Sequence, residues 1–405
     1  MAKSPISLVL VGIGGMGNVY VEELFKRDGE GLFSIAGLVD PAPERCPRLA
    51  ELTARGIPVF PDLAGFYAAR GTADLAVISS PIQFHAAQTI LALEKGSYVL
   101  CEKPVAATIQ EARAMAAAER RTERWAAVGY QWSFSRAVQS LKTDIMAGIY
   151  GRPVKMRCLY TWPRDKAYYG RNDWAGRART SDGGWVLDGP ANNAMAHDLH
   201  NMLYLLGRDV RSCAMPVRIE AELYRANPIE NCDTAAARLE LEDSTPVLFW
   251  VSHATRHDRG PRLRLEFDKG IVTAERRGGS LLGETAGGVI RDYGYPDLAP
   301  MKKLWDAIDA VRTGTVPVCC VEAAAGQTLA IDGMQDSAGT VVDFPAGLRR
   351  ESANTASSWV WIEGLDEALA AGFEASRLPS ELGLPWARPG RPVDLTDYRE
   401  FPGPR

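Results

Sequence analysis

Leu8-Val-Leu-Val-Gly12-Ile-Gly-Gly-Met-Gly17 decides how the rest of this 405-residue chain is read. Leu8–Val11 is a short apolar run of the kind that forms a buried strand, and Val19–Lys26 has helical spacing. Between them the glycines fall as GxGxxG, which has meaning only in this strand–turn–helix setting. Gly12 permits the tight turn, Gly14 lets the backbone approach a pyrophosphate, and Gly17 allows close helix–strand packing. Gly12, Ile13, Gly14, Gly15, Met16 and Gly17 therefore form a candidate phosphate loop, with backbone N–H groups and a helix dipole aimed at the anion. Phe33–Val39 reads as a second strand and ends at Asp40. A carboxylate there can accept from both ribose hydroxyls of NAD and repels the 2′-phosphate of NADP. NAD is the expected cofactor; NADP is the alternative, because Arg45 could compensate the charge.

Outward from this loop, strands and helices alternate. Pro43–Arg55, Leu63–Arg70, Gln83–Lys95 and Thr108–Arg121 read as helices; Pro58–Phe60, Leu75–Ser79, Tyr98–Cys101 and Ala126–Gly129 read as strands. Such alternation implies parallel pairing, an α/β Rossmann domain over 1–128. After Gly129 the rhythm changes. Val154–Trp162, Val217–Tyr224, Ala235–Leu241, Val247–His253, Arg262–Phe267 and Gly270–Glu275 are strands in succession, with a helix at about Asn192–Leu206. Pro300–Thr313 and Val321–Ser337 are helical. This predicts an α+β domain over 129–377 with a large, mainly antiparallel, open-faced sheet. A Pro-rich tail, 378–405, is expected to wrap the surface.

Composition narrows the function. Apolar residues make up 46% and charged residues 24%, ordinary for a globular protein with full-sized cores. The formal net charge is −4, so no basic excess exists for phosphate backbones and nucleic acid is not an expected partner. The seven cysteines are scattered without CxxC, as in a reducing compartment. The stretch after Met1 shows no signal-peptide core, and no apolar run approaches the ~18 residues of a membrane span. The expectation is a cytoplasmic protein with no membrane partner.

Two further segments join the Gly-rich loop. Ser80-Pro-Ile-Gln-Phe-His85 resembles T-P-x-x-x-H, and Val99-Leu-Cys-Glu-Lys-Pro104 resembles V-x-x-E-K-P. With the loop at matching spacing, the chain resembles the Gfo/Idh/MocA oxidoreductases. The resemblance implies NAD(P)-dependent alcohol–carbonyl chemistry on a sugar, cyclitol or glycoside. It implies that Lys103 contacts both substrate and nicotinamide ribose, that the Lys103–Pro104 bond is often cis, and that His85 supports the cofactor loop. Ser80, Pro81, His85, Glu102 and Lys103 thus join Asp40 and the glycine loop as expected cofactor contacts. Independently, Lys103 ends a parallel strand, the edge where ligands bind in open α/β sheets; a surface ion pair with Glu102 is its plainer reading.

The same resemblance places a D-x-x-x-H-x-x-D helix on Asn193-Ala-Met-Ala-His197-Asp-Leu-His200. His197 falls on the catalytic histidine, Asn193 on the first aspartate and His200 on the second. Spacing of four and three would set all three on one helical face. Oxidising a carbinol needs a base for its hydroxyl proton, and imidazole is suited to that. His197 is the expected base and Asn193 an orienting partner. Asp188 is expected to enter the site, and Asp198 to face elsewhere. A zinc reading of His197 and His200 lacks a third ligand, so no metal is expected.

Leu159–Arg177 is rich in aromatics, with Arg164, Arg171 and Arg177 interleaved. Aromatic faces pack on sugar rings, and arginines hold carboxylates or other oxyanions; an oligomer interface is the other reading. The expected substrate contacts are Lys103, Gln131, Trp162, Tyr169, Arg171, Asn172, Trp174, Asp188, Asn193 and His197. A bare outer sheet face with Val247, Phe249, Val251 and Leu265 predicts a homodimer or homotetramer. The competing functions are hydride transfer on a secondary alcohol, NAD-assisted lysis or hydrolysis of a glycoside through transient oxidation, and a non-catalytic nucleotide-binding regulator.

Overall fold

A computed structural model describes residues 4–352 and 357–403. Met1, Ala2 and Lys3, read above as leading into the first strand, lie outside them, as do 404 and 405 of the expected tail. The chain divides into two compact units. The first holds Met1–Ala106, Glu111–Ser135 and Ala299–Ala325; the second holds Ala107–Gln110, Arg136–Leu298 and Gly326–Arg405.

The first unit is a six-stranded parallel sheet. Its strands are β1 Ile6–Val11, β2 Phe33–Val39, β3 Val59–Phe60, β4 Leu75–Ile78, β5 Tyr98–Cys101 and β6 Ala126–Val128, in the order β3-β2-β1-β4-β5-β6. The strand cores are apolar runs because helices cover both faces: Leu8, Val9, Leu10, Val11 and Leu75–Ile78 are all buried. The helices are α1 Met16–Lys26, α2 Leu49–Ala54, α3 Leu63–Arg70, α4 His85–Glu94 and α5 Ile109–Thr122. This is the expected Rossmann sheet.

The second unit contains α6 Arg136–Met146, β7 Pro153–Thr161, α7 Lys166–Tyr169, α8 Ala196–Leu205, β8 Pro216–Arg225, β9 Thr234–Leu241, β10 Pro246–Ser252, β11 Arg259–Phe267, β12 Gly270–Ala274, β13 Leu281–Thr285 and β14 Ile290–Gly294. α9 Lys302–Thr313 returns to the first unit. It is followed by α10 Val321–Ala338, β15 Val342–Asp343 and α11 Leu365–Ala375. The sheet runs β14-β13-β12-β11-β7-β10-β9-β8-β15, with Val393–Asp394 also pairing to β8. Its ladders are antiparallel except β10 with β7 and β15 with β8. The mainly antiparallel α+β fold is as expected.

The outer face of that sheet is not bare. Leu159, Tyr224, Leu248 and Trp250 pack against Leu365, Leu369 and Phe373 of α11, with Phe344, Ile362, Leu378 and Ala387 completing the cluster. Strand alternation sends Val247, Phe249 and Val251 to the opposite face, and these three and Leu265 are at most 1% exposed. The four residues invoked for a homodimer or homotetramer are thus buried on the sheet's other face, and the outer face is filled by the chain's own C-terminal segment, to which the sequence reading assigns no element between 338 and 377. All seven cysteines are free thiols. Among the described residues no helix is long and apolar enough to cross a membrane.

Candidate active site

The carboxyl edge of the parallel sheet collects the residues expected at the cofactor, because each follows a strand that ends there. Gly12 follows β1, Asp40 follows β2, Ser79-Ser80 follow β4, and Glu102-Lys103 follow β5; Gln131 opens a 3-10 turn shortly after β6. β1 and β4 are neighbours at the point where the strand order reverses, where α/β sheets open a crevice.

The glycines have different tasks. Gly12 has φ 74°, and a Cβ on it would lie 2.8 Å from the Ser80 nitrogen; one on Gly17 would lie 1.7 Å from the Gly12 carbonyl oxygen. Gly15 has φ 51° and open space around it, and a Cβ on Gly14 would meet only the Arg45 side chain. The amides of Gly14 and Gly15 have no partner among the described residues. The loop is thus closed on its inner side and open on its outer side, with donors at the start of α1, which fits a pyrophosphate. Asp40 Oδ2 accepts from the Ile13 amide and Oδ1 from the Ala42 amide, each at 2.8 Å. These bonds fix the carboxylate beside the loop and leave it lone pairs for ribose hydroxyls.

His85 is 1% exposed. Its Nδ1 lies 2.8 Å from the Pro104 carbonyl oxygen and its Nε2 2.9 Å from that of Ser80, so the ring bridges the β4 and β5 loops. Burial holds its pKa below the usual value, and a neutral ring donates to one of the two carbonyls. Ser80 Oγ donates to Gln88. The Lys103–Pro104 bond is cis. Glu102 turns inward instead of forming a surface pair with the Lys103 side chain. It accepts from Tyr20 Oη at 2.6 Å and from Lys303 Nζ, and its Oε2 accepts from the Lys103 amide at 3.1 Å. Burial pushes this carboxyl up, but Lys303, Tyr20 and Lys103 outweigh it and hold it below the ordinary range.

In the second unit, Asn193 is not on the helix. α8 begins at Ala196, and Asn193 sits in the turns before it, its amide donating to the Gly189 carbonyl. Its Nδ2 donates to Asp188 Oδ1 at 2.9 Å, while Asp188 Oδ2 accepts from the Gly176 amide at 2.6 Å and lies 3.6 Å from Arg171. The carboxylate missing at position 193 is thus present in Asp188, one hydrogen bond away. His197 lies in the first turn of α8 and is partly exposed. His200 does not share that setting: it is 1% exposed, its ring lies 5.5 Å from that of Tyr204, and burial with the nearby Lys142 charge lowers its pKa to about 3. Among the described residues no cluster of three or more His, Cys, Asp or Glu is placed to hold a metal.

The aromatic loop is covered with guanidinium groups. Arg164 lies 3.5 Å and Arg277 3.8 Å from the Trp162 ring centre; Arg171 lies 3.7 Å from that of Tyr168 and 5.2 Å from that of Trp174. The faces offered to a sugar ring at Trp162 and Tyr168 are taken by arginines. Asn172 caps a turn, its Oδ1 accepting from the Trp174 and Ala175 amides. Tyr169 packs edge-on against Tyr168 with its ring centre 5.3 Å away.

Residues 6–130 match the oxidoreductase family with an NAD-binding Rossmann fold, and residues 138–273 match the GFO/IDH/MocA C-terminal domain. The chain belongs to the Gfo/Idh/MocA oxidoreductases. It is 29% identical over 202 residues to the rhizopine catabolism protein MocA of Rhizobium meliloti, covering 50% of this chain and 57% of that protein. It is 30% identical over 165 residues to inositol 2-dehydrogenase 4 of Saccharopolyspora erythraea, covering 40% and 46%. The chain therefore spans about half the length of these curated relatives. Among solved structures, the WlbA dehydrogenase of Bordetella pertussis, in complex with NADH and UDP-GlcNAcA, has a TM-score of 0.66 at 22% identity, covering 82% of this chain and 96% of that one. An oxidoreductase of Agrobacterium radiobacter, in complex with NAD+, L-tartaric acid and magnesium, has a TM-score of 0.65 at 18% identity, covering 83% and 97%. At these identities the structures share the fold.

As a Gfo/Idh/MocA oxidoreductase, the chain carries site-supporting residues that sequence spacing does not reveal. Lys303 and Tyr20 reach Glu102 from 201 and 82 residues away. Arg277 emerges from a Gly-rich stretch and donates to Tyr160 Oη. Asp198, beside the expected base in sequence, is buried near Cys158 and Tyr160 of β7, and burial pushes its pKa up to about 8. The folded protein then keeps a proton that the unfolded chain, with a pKa of ~3.9, releases. Stability should therefore fall as pH rises from ~4 to ~8. Asp198→Asn should remove this slope, so the variant gains on the parent between pH 4.5 and 8 in urea unfolding midpoints. Parallel curves would mean that Asp198 is ionised in the folded protein.

Proposed function

We propose that this chain is an NAD-dependent dehydrogenase that interconverts a secondary alcohol and a ketone on a sugar, cyclitol or glycoside. The observation that carries this is the open-sided glycine loop, with the unpartnered Gly14 and Gly15 amides, sharing one strand edge with Asp40 and Lys103. Family membership and the relatives named for inositol dehydrogenation support it. NAD bound at this edge supplies a hydride acceptor. Lys103 donates to the reacting oxygen and stabilises the negative charge that develops there. His197 takes the hydroxyl proton, and Asp188, through Asn193, supplies negative charge in its neighbourhood. His85 and Glu102 position the loops that carry Ser80, Lys103 and Pro104.

The deciding experiment is incubation with NAD and a panel of sugars, cyclitols and glycosides. A dehydrogenase makes one NADH per substrate consumed. Glycoside cleavage without net NADH would mark the transient-oxidation route, and NAD binding without turnover on any substrate would mark a regulator.

Cofactor choice has its own test. Asp40→Ala should weaken NAD on the order of 10–100-fold, the worth of hydrogen bonds to a charged group. NADP should suffer less, since its 2′-phosphate no longer meets a carboxylate and Arg45 remains. Part of the loss is common to both, because Ile13 loses its acceptor. The readout is the ratio of the two Kd values, and an unchanged ratio would remove Asp40 from the ribose.

A further inference from the structure

The loop between β7 and α8, with Arg277 of the β12–β13 connection beside its Trp162, holds more positive charge than it neutralises. Arg171 lies 3.6 Å from Asp188, and Arg277 lies 3.4 Å from Asp258. Arg164, between them, has no carboxylate within 4 Å among the described residues, and its Nε is buried without a hydrogen-bond partner. Its guanidinium is held 3.5 Å from the Trp162 ring centre and 4.5 Å from that of Tyr168. Beside it His253 is 2% exposed. The His253 Nδ1 lies 2.8 Å from the Trp162 carbonyl oxygen, and its Nε2 has no partner. A carbonyl only accepts, so Nδ1 carries the proton and Nε2 is left as an acceptor.

Arg164 is part-buried with no carboxylate beside it, and a charge withdrawn from water is ordinarily paired or ligated. A guanidinium clamped between two rings, with two more guanidiniums nearby and no counter-charge, is preorganised for an anion it does not yet hold. Its planar fork matches a carboxylate. In formal charge the loop's five cationic side chains exceed its four carboxylates by one, which suits a singly charged group.

We propose that this loop is a carboxylate subsite and that the substrate is an acidic sugar, with Arg164 as the residue that selects the acid. This rests on the dehydrogenase reading for the word substrate, and on the loop alone for the anion site. Arg171 and Arg277 act as the positive surround, and Trp162 and Tyr168 as the clamp that holds Arg164 flat.

The test uses the full chain with NAD present and pairs of probes that differ only in charge: glucuronate with glucuronamide, galacturonate with galacturonamide. Calorimetry should show at least one acid binding tenfold or more tighter than its amide. Arg164→Gln should cut the acid's affinity on the order of 10–100-fold, with little change for the amide or for NAD. Arg164→Lys should recover part of it, since charge returns without the fork. Melting temperature and NAD affinity serve as controls that each variant is folded. If no acid binds better than its amide, or if Arg164→Gln leaves the preference intact, the subsite is overturned. Turnover reports separately. NADH formed only from neutral sugars keeps the dehydrogenase and discards the acidic substrate. Acid-selective binding without NADH keeps the subsite and discards the dehydrogenase.

Discussion

Replacing His197 with alanine should lower kcat/KM for oxidation by roughly 10²–10⁴-fold, the range for loss of a general base. NAD affinity should be nearly unchanged, because His197 belongs to the second unit and every expected dinucleotide contact to the first. His200→Ala should cost far less catalysis, and its effect should appear in stability. The His200 ring is buried, lies 5.5 Å from that of Tyr204, and has its pKa lowered to about 3. Asn193→Ala should fall between the two, since it breaks the bond to Asp188 and leaves His197 in place. Steady-state kinetics with the best substrate, at matched NAD saturation, order the three. A His200→Ala loss larger than that of His197→Ala would move the base one turn along the helix.

The second large effect is on stability. Lys303→Met should destabilise the protein by about 3–5 kcal/mol, because it leaves the Glu102 carboxylate buried without its charge partner. Lys303 is fully buried, and Glu102 accepts from it, from Tyr20 Oη and from the Lys103 amide. The double variant with Glu102→Gln should recover much of that loss, since neither site then buries a lone charge. Urea unfolding at neutral pH measures both. Lys303→Met should lose rate as well, because the carboxylate that accepts from the Lys103 amide would be neutral or displaced. If Lys303→Met were as stable as the parent, the carboxylate would be reaching solvent.

Local signals in the sequence carry the dinucleotide half of the fold well. A glycine loop, a strand-end aspartate and the Glu-Lys-Pro segment depend on residues adjacent in the chain, and the parallel sheet follows from alternation alone. What sequence leaves hidden is mostly long-range. Nothing near Glu102 announces Lys303. β13 and β14 are five residues each and flanked by glycines, too short to show a period. The outer sheet face failed for a different reason: the apolar residues on β10 occur at both parities, so periodicity cannot say which set meets the helices. Leu248 and Trp250 meet α11. Asn193 shows the limit of helical arithmetic, since the spacing holds only if the helix extends that far, and the turns at Gly189 and Pro190 delay its start. The Trp162 and Tyr168 faces looked ready for a sugar because spacing shows aromatics and arginines together but not which covers which.

The pairing of Glu102 with Lys303 also sets an order in time. At ~5–20 residues per second of synthesis, the 201 residues between them take roughly 10–40 s to be made. Throughout that interval the nascent first unit has its glycine loop, all six strands and Lys103, but a carboxylate with no ammonium to meet it. α9, which carries Lys303, is made only after every strand of the second sheet from β7 to β14. The pieces that cover and finish that sheet, α11 and Val393–Asp394, follow later still. The first unit therefore cannot close until the ribosome has passed through most of the second, about four-fifths of the way along the chain, and a cell making this protein holds the second open until its final tenth emerges.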